Sequence, residues 1–207
     1  MQTLDIRVRW AIGILWGLTF IVVLFSLRFA FLAIEYAQPT MIYHALDRPL
    51  AFYGHVAGAT VALAVVPFQF WSRLRTRKLA LHRWLGRLYG VSILIGGLSG
   101  IWLALTTEAG QLAGAGFATL GVLWLIVTAN AIRLALQRDI AAHRRWMIRS
   151  AALTLAAVTL RVYLPILAAT MGFETGYTLV AWLCWVPNAL FAEWLLRRQS
   201  RRNVAVA

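Results

Sequence analysis

The chain has a single cysteine, Cys184, set in an apolar run, which excludes a disulfide framework and a thiolate metal site. Acidic residues are scarce as well: the seven Asp and Glu are scattered, mostly between apolar stretches. Neither a carboxylate metal cluster nor a nucleophile–base pair is visible. Charged residues of both signs make up only 13% of the chain and hydrophobic ones 61%, whereas soluble domains run at about 25% and about 45–50%. With a mean hydropathy of +0.73, disorder is excluded and a membrane fold is the expected class.

Apolar runs and positive charge are what the chain has in excess. Six stretches, at roughly 10–34, 50–71, 84–106, 113–135, 146–171 and 178–196, are long enough to cross a bilayer as helices. They lack the Lys- and Glu-rich faces that a soluble bundle would carry. The expectation is an all-α polytopic bundle of six transmembrane helices, one integral membrane domain over residues 1–207. Arg7 and Arg9 precede the first run, as in a signal peptide, but signal cores span about 7–15 residues and this run continues to Ile34. A retained helix is expected.

The formal charge of +13 has a topological explanation. With the amino terminus inside, 17 of the 20 Lys and Arg fall on the inner side, leaving Arg28, Arg48 and Arg161 toward the outside. This asymmetry predicts both termini in the cytoplasm. Anionic lipid is then the expected partner of the basic residues, and nucleic acid is not. The pairs Arg9-Trp10, Arg83-Trp84 and Arg145-Trp146 mark helix entry points at the headgroups. Gly86 with Gly90, Gly96 with Gly100, and the glycines at 114, 116 and 121 predict central third and fourth spans. Pro67, Pro165 and Pro187 predict local kinks.

Ionisable groups at membrane depth cost roughly 2.5–3.5 kcal/mol on insertion scales and so require a partner or a purpose. At about 1.5 Å per residue, Arg28, His55 and Arg161 stand about 27, 24 and 22 Å from Trp10, Trp71 and Trp146, at one outer level. They are expected to converge. Ser150, Thr154 and Arg161 follow His143 at offsets of 7, 11 and 18, which puts all four within about 20° of one line on a helix. That polar stripe must face the bundle interior. His55 shares a face with Gly58, Ala59 and Ala62, a surface suited to close helix contact or to a flat ligand. His82 and His143 open spans three and five in similar contexts, 61 residues apart, so two imidazoles are expected at matched depth. His44 is expected in a solvated outer loop.

The motifs HRWLGRLYG at 82–90 and HRRWMIRS at 143–150, with the string from His55 to Gln69, Gly116-Phe117, Trp124 and the run on to Arg161, resemble a bacterial family of inner-membrane proteins, the domain of unknown function 2306. The resemblance spans roughly residues 50–165. It implies a multi-helix fold in the bacterial inner membrane and marks His55, His82, His143, Arg149 and Arg161. The architecture also resembles cytochrome b561-type proteins, which hold two b haems with paired histidines. Span four here holds no histidine, so the resemblance implies at most one haem b, through His82 and His143, or a one-histidine site at His55.

Three readings follow from these residues. A redox membrane protein, haem-bearing or quinone-linked, would use His82 and His143 as iron ligands, with Arg83, Arg87, Arg144 or Arg149 on the propionates. A small permease for an anion or proton would use Arg28, His55, Ser150, Thr154 and Arg161. A non-catalytic subunit or assembly factor would use the same groups to lock the bundle within a larger membrane complex.

Overall fold

The structure is a computed structural model that describes residues 6–204. Its helices are α1 (Ile6–Ser26), α2 (Arg28–Phe31), α3 (Ile34–Ala37), α4 (Ile42–Asp47), α5 (Pro49–Phe70), α6 (Ser72–Arg77), α7 (Leu79–Leu105), α8 (Gln111–Leu136), α9 (Ile140–Thr154), α10 (Ala156–Met171), α11 (Phe173–Leu183) and α12 (Val186–Val204), with a 3-10 turn at Pro39–Met41. No strand occurs among the described residues.

Six segments are long and apolar enough to span a membrane: Ile12–Phe31, Pro49–Phe70, Leu79–Leu105, Gln111–Leu136, Ile140–Met171 and Phe173–Arg201. All six expected spans are therefore present, and an even number of spans returns the end of α12 to the face on which α1 begins, called here the terminal face. The last two spans are each built from two helices. Pro67 and Pro165 sit inside α5 and α10 without interrupting them. The breaks fall at Leu155 and at Cys184–Trp185, the second just before Pro187 in the first turn of α12. Beside the Leu155 turn, the Asn188 side-chain amide donates to the Ala152 carbonyl at 3.3 Å, so α12 satisfies backbone at the break in α9–α10.

The largest helix contact is between α5 and α7, and glycine allows it. A Cβ on Gly58 would lie 2.6 Å from the Ser92 carbonyl oxygen and 2.7 Å from the Gly96 nitrogen, so the two backbones touch. No side chain could fit between them. Span three, α7, lies between α5 and α8; span four, α8, lies against α7, α9 and α11. The core follows from this order: Ala62, Val66, Tyr89, Ile93, Trp124, Ala151 and Val180 form one buried cluster. By contrast, α1 docks chiefly on α5 and α10, through Val22 packed with Leu63 and Val158.

Gly58→Ala should lower the melting temperature of the purified protein sharply, because overpacking costs about 1–3 kcal/mol and here the obstacle is backbone. Gly13→Ala, where a Cβ meets nothing within 4 Å, should leave melting unchanged or raise it slightly. Equal melting of the two variants would contradict the close α5–α7 approach.

Candidate functional site

The polar stripe of span five faces inward, and its partners come from α7 and α8. The Tyr89 hydroxyl lies 2.8 Å from Ser150 Oγ and 2.7 Å from Thr154 Oγ1. Trp124 Nε1 donates to Thr154 Oγ1 at 2.9 Å, and the Thr128 hydroxyl is 2.6 Å from Ser150 Oγ. Thr154 also donates to the Ser150 carbonyl at 2.9 Å. All five side chains are buried, and each hydroxyl has a partner, as a dry interior requires. Tyr89 and Ser150 are 61 residues apart, the same spacing as His82 and His143, so α7 and α9 run parallel with the matched register expected from their shared motif. Nothing in the spacing of the stripe identified Tyr89, Trp124 or Thr128 as its partners.

Toward the face opposite the termini, the bundle opens into a cavity of about 720 Å³. Arg28, His55 and Arg161 all line it, which is the convergence expected from their common depth. Ser26, Gln38, Thr60 and Thr154 add polar groups, and the remaining wall is chiefly apolar or aromatic. No Asp or Glu lines it among the described residues. Arg161 donates to the Ala157 carbonyl at 3.0 Å and to Ser26 Oγ at 3.2 Å. Arg28 donates from Nη2 to Gln38 Oε1 at 2.7 Å, and its guanidinium carbon lies 3.7 Å from the Phe25 ring centre. His55 Nδ1 lies 2.8 Å from the Gly96 carbonyl, an acceptor only, so this nitrogen carries the proton and Nε2 stays outside that bond. Gly100 makes room for the ring, since a Cβ there would lie 2.7 Å from His55 Nδ1.

His44 belongs to this cavity too, which corrects the expectation of a solvated loop residue. It is 4% exposed, held in α4 beneath the Tyr43 ring at a centroid distance of 4.1 Å. Burial, with Arg48 nearby, pushes its imidazole below the usual histidine range, so it is neutral at neutral pH. Two buried polar atoms at this cavity have no partner: Arg28 Nε and His44 Nδ1.

The proposed haem ligands stand elsewhere. His143 Nδ1 lies 2.8 Å from the Ala131 carbonyl, and His82 Nδ1 is buried without a partner. Neither imidazole borders the large cavity or the smaller one of about 430 Å³ beside α6. The seam between α7 and α9, two turns further into the bundle, is closed by Tyr89 on Ser150 and Thr154. A macrocycle shared by these histidines would need an open slot between α7 and α9 at their own level, two turns nearer the terminal face than the Tyr89 contacts. Arg149, expected on a propionate, is already engaged. Its Nη2 donates to Glu193 Oε2 at 3.0 Å, its Nε donates to Oε1 of the same carboxylate, and its guanidinium carbon lies 4.9 Å from the Trp146 ring centre. Arg83, Arg87 and Arg144 are exposed. Glu193 lies 44 residues from Arg149, beyond any local pattern that could have paired them.

Tyr89→Phe should cost about 0.5–1.5 kcal/mol, because Ser150 and Thr154 keep their bonds to Thr128 and Trp124. Ser150→Val should cost more, since Ser150 is fully buried and the new side chain overpacks. Unfolding equilibria in mixed micelles check both values.

Residues 52–196, which are 145 of the 207, match the family profile described as Predicted membrane protein (DUF2306). No curated protein and no solved structure gives a match. The match takes in α7 to α11 whole, nearly all of α5 and half of α12, with His55, Tyr89, Ser150 and Arg161. On this match the chain belongs to the DUF2306 family of predicted membrane proteins.

Proposed function

We propose that the protein is a small membrane carrier for an anion, with the large cavity as its binding site. The observation that supports this reading is the pairing of Arg28 and Arg161 around one cavity that has no carboxylate in its wall. Each guanidinium held at membrane depth costs roughly 2.5–3.5 kcal/mol unless it is compensated, and neither has an acidic partner among the described residues. An anion entering the cavity compensates both charges. His55 contributes a further polar edge, and Thr154 with Trp124 forms the floor. The hydroxyl cluster of Tyr89, Ser150 and Thr128 continues from that floor toward the terminal face and closes the cavity on that side.

The same reading orients the molecule. The excess of arginine near the terminal face supports a cytoplasmic position for that face, where the exposed Arg83, Arg87, Arg144 and Arg145 would meet anionic headgroups. The cavity then opens toward the outer side of a bacterial inner membrane.

Liposomes holding the protein should take up labelled benzoate or inorganic phosphate faster than empty ones. Arg161→Gln should reduce binding roughly 30-fold or more, because removing one partner of a buried charge pair costs about 2–5 kcal/mol. Uptake equal to that of empty liposomes, or unaffected by Arg161→Gln in a folded protein, would overturn the carrier reading.

Orientation has its own measurement. In a Cys184→Ser background, Glu108→Cys should react with an impermeant maleimide added outside intact cells, and Ser200→Cys should react only after the membrane is opened. Labelling of Ser200→Cys in intact cells would reverse the topology.

A further inference from the structure

The cavity is polarised along its depth, and it is open at the side. Its cationic and polar groups, Arg28, Gln38, His44, His55 and Arg161, gather at the end away from the termini. Below them the wall is apolar but for Thr60, down to Trp124 and Thr154, whose polar atoms bond to each other. From Arg161 to Thr154 is seven residues of helical rise, and from His55 to Leu63 eight, so the apolar section is roughly 10–12 Å deep. A bare inorganic ion has no use for such a section.

The opening lies between α1 and α10. Ile21 and Phe25 on α1 and Val162 on α10 line the cavity, yet they are 61%, 52% and 41% exposed. Residues that are both cavity wall and outer surface mark the place where the cavity meets the surrounding lipid. The helix guarding that side is the least anchored span, held chiefly by Val22 against Leu63 and Val158, and it lies outside the family match. Two further observations point to a missing ligand at the head of the cavity: Arg28 Nε and His44 Nδ1 are buried with no partner.

We infer that the occupant is a single-tailed amphiphile with a carboxylate or phosphate head, drawn sideways from the lipid between α1 and α10. Its head sits between Arg28 and Arg161 and its tail lies along the apolar section toward Trp124. The inference rests on the anion reading of the same cavity and adds the tail and the route. Carboxylate and phosphate heads share the chemistry that the two guanidinium groups recognise, a compact oxyanion with several acceptor lone pairs.

The test uses the whole protein in phosphatidylcholine liposomes and a palmitate analogue bearing a photoactivatable diazirine in its tail, with labelled peptides mapped by mass spectrometry. Saturable labelling is expected on residues 18–25 and 154–162. Octanoate or octyl phosphate should compete at concentrations where acetate and inorganic phosphate do not, and the stronger of the two competitors identifies the head. Arg28→Gln with Arg161→Gln should reduce labelling roughly 30-fold or more. Ala157→Leu, which narrows the apolar section one turn below Arg161 and keeps both charges, should reduce labelling while leaving inorganic phosphate binding intact, so the result does not depend on the arginine variant folding. Competition by acetate or phosphate as strong as by octanoate would overturn the tail and leave the anion site standing. Labelling that neither variant reduces, or that maps evenly over the lipid-facing surface, would overturn the inference outright.

Discussion

The rest of the bundle depends on the contact of two backbones at Gly58 and Gly96. In lipid, helices gain nothing from hiding apolar side chains from each other, so close packing and interior hydrogen bonds must hold them together. At this crossing α5 and α7 approach until a single methyl group would strike the Ser92 carbonyl. The approach fixes the rotation of both helices. With α5 so turned, His55 points at the Gly96 carbonyl and lies over Gly100, at the edge of the large cavity. With α7 so turned, Tyr89 faces Ser150 and Thr154. One steric constraint thereby orients both the His55 edge of the cavity and the hydroxyl cluster beneath its floor.

Two kinds of polar group lie inside the bundle, and they are treated differently. The hydroxyls of Tyr89, Thr128, Ser150 and Thr154 satisfy one another with the Trp124 indole, a closed network that adds specificity to packing. Arg149 and Glu193 also close on each other, nearer the terminal face. Arg28 and Arg161 do not. Their bonds go to an amide oxygen, a backbone carbonyl and a hydroxyl, none of which carries a charge. The half-buried Arg149 thus has a carboxylate partner, whereas Arg28 and Arg161 share a cavity wall that holds none among the described residues.

Much of this was legible in the chain because membranes impose simple rules on sequence. Span length follows from bilayer thickness, and the common depth of Arg28, His55 and Arg161 follows from helical rise counted from the tryptophan anchors. The inward stripe on span five follows from angular spacing, since lipid cannot solvate it. Partners across helices were not legible: Tyr89 for Ser150, Glu193 for Arg149 and Asn188 for the Ala152 carbonyl are set by packing between segments dozens of residues apart. The histidines at 82 and 143 illustrate the same limit: their spacing speaks to depth along parallel helices, and it carries no information about what lies between the two rings.

By itself the sequence determined six apolar crossings, the crowding of positive charge toward one face, and the depth of each buried ion, because each depends only on distance along a helix. The tertiary structure alone decided which residues meet: that His44 is buried rather than solvated, that α1 closes the cavity loosely, and that Arg28 and Arg161 share a space without a carboxylate. Depth is a one-dimensional property that survives without knowledge of the neighbours. Rotation and adjacency are not, since they are fixed only when close contacts such as Gly58 on Gly96 lock one helix against another.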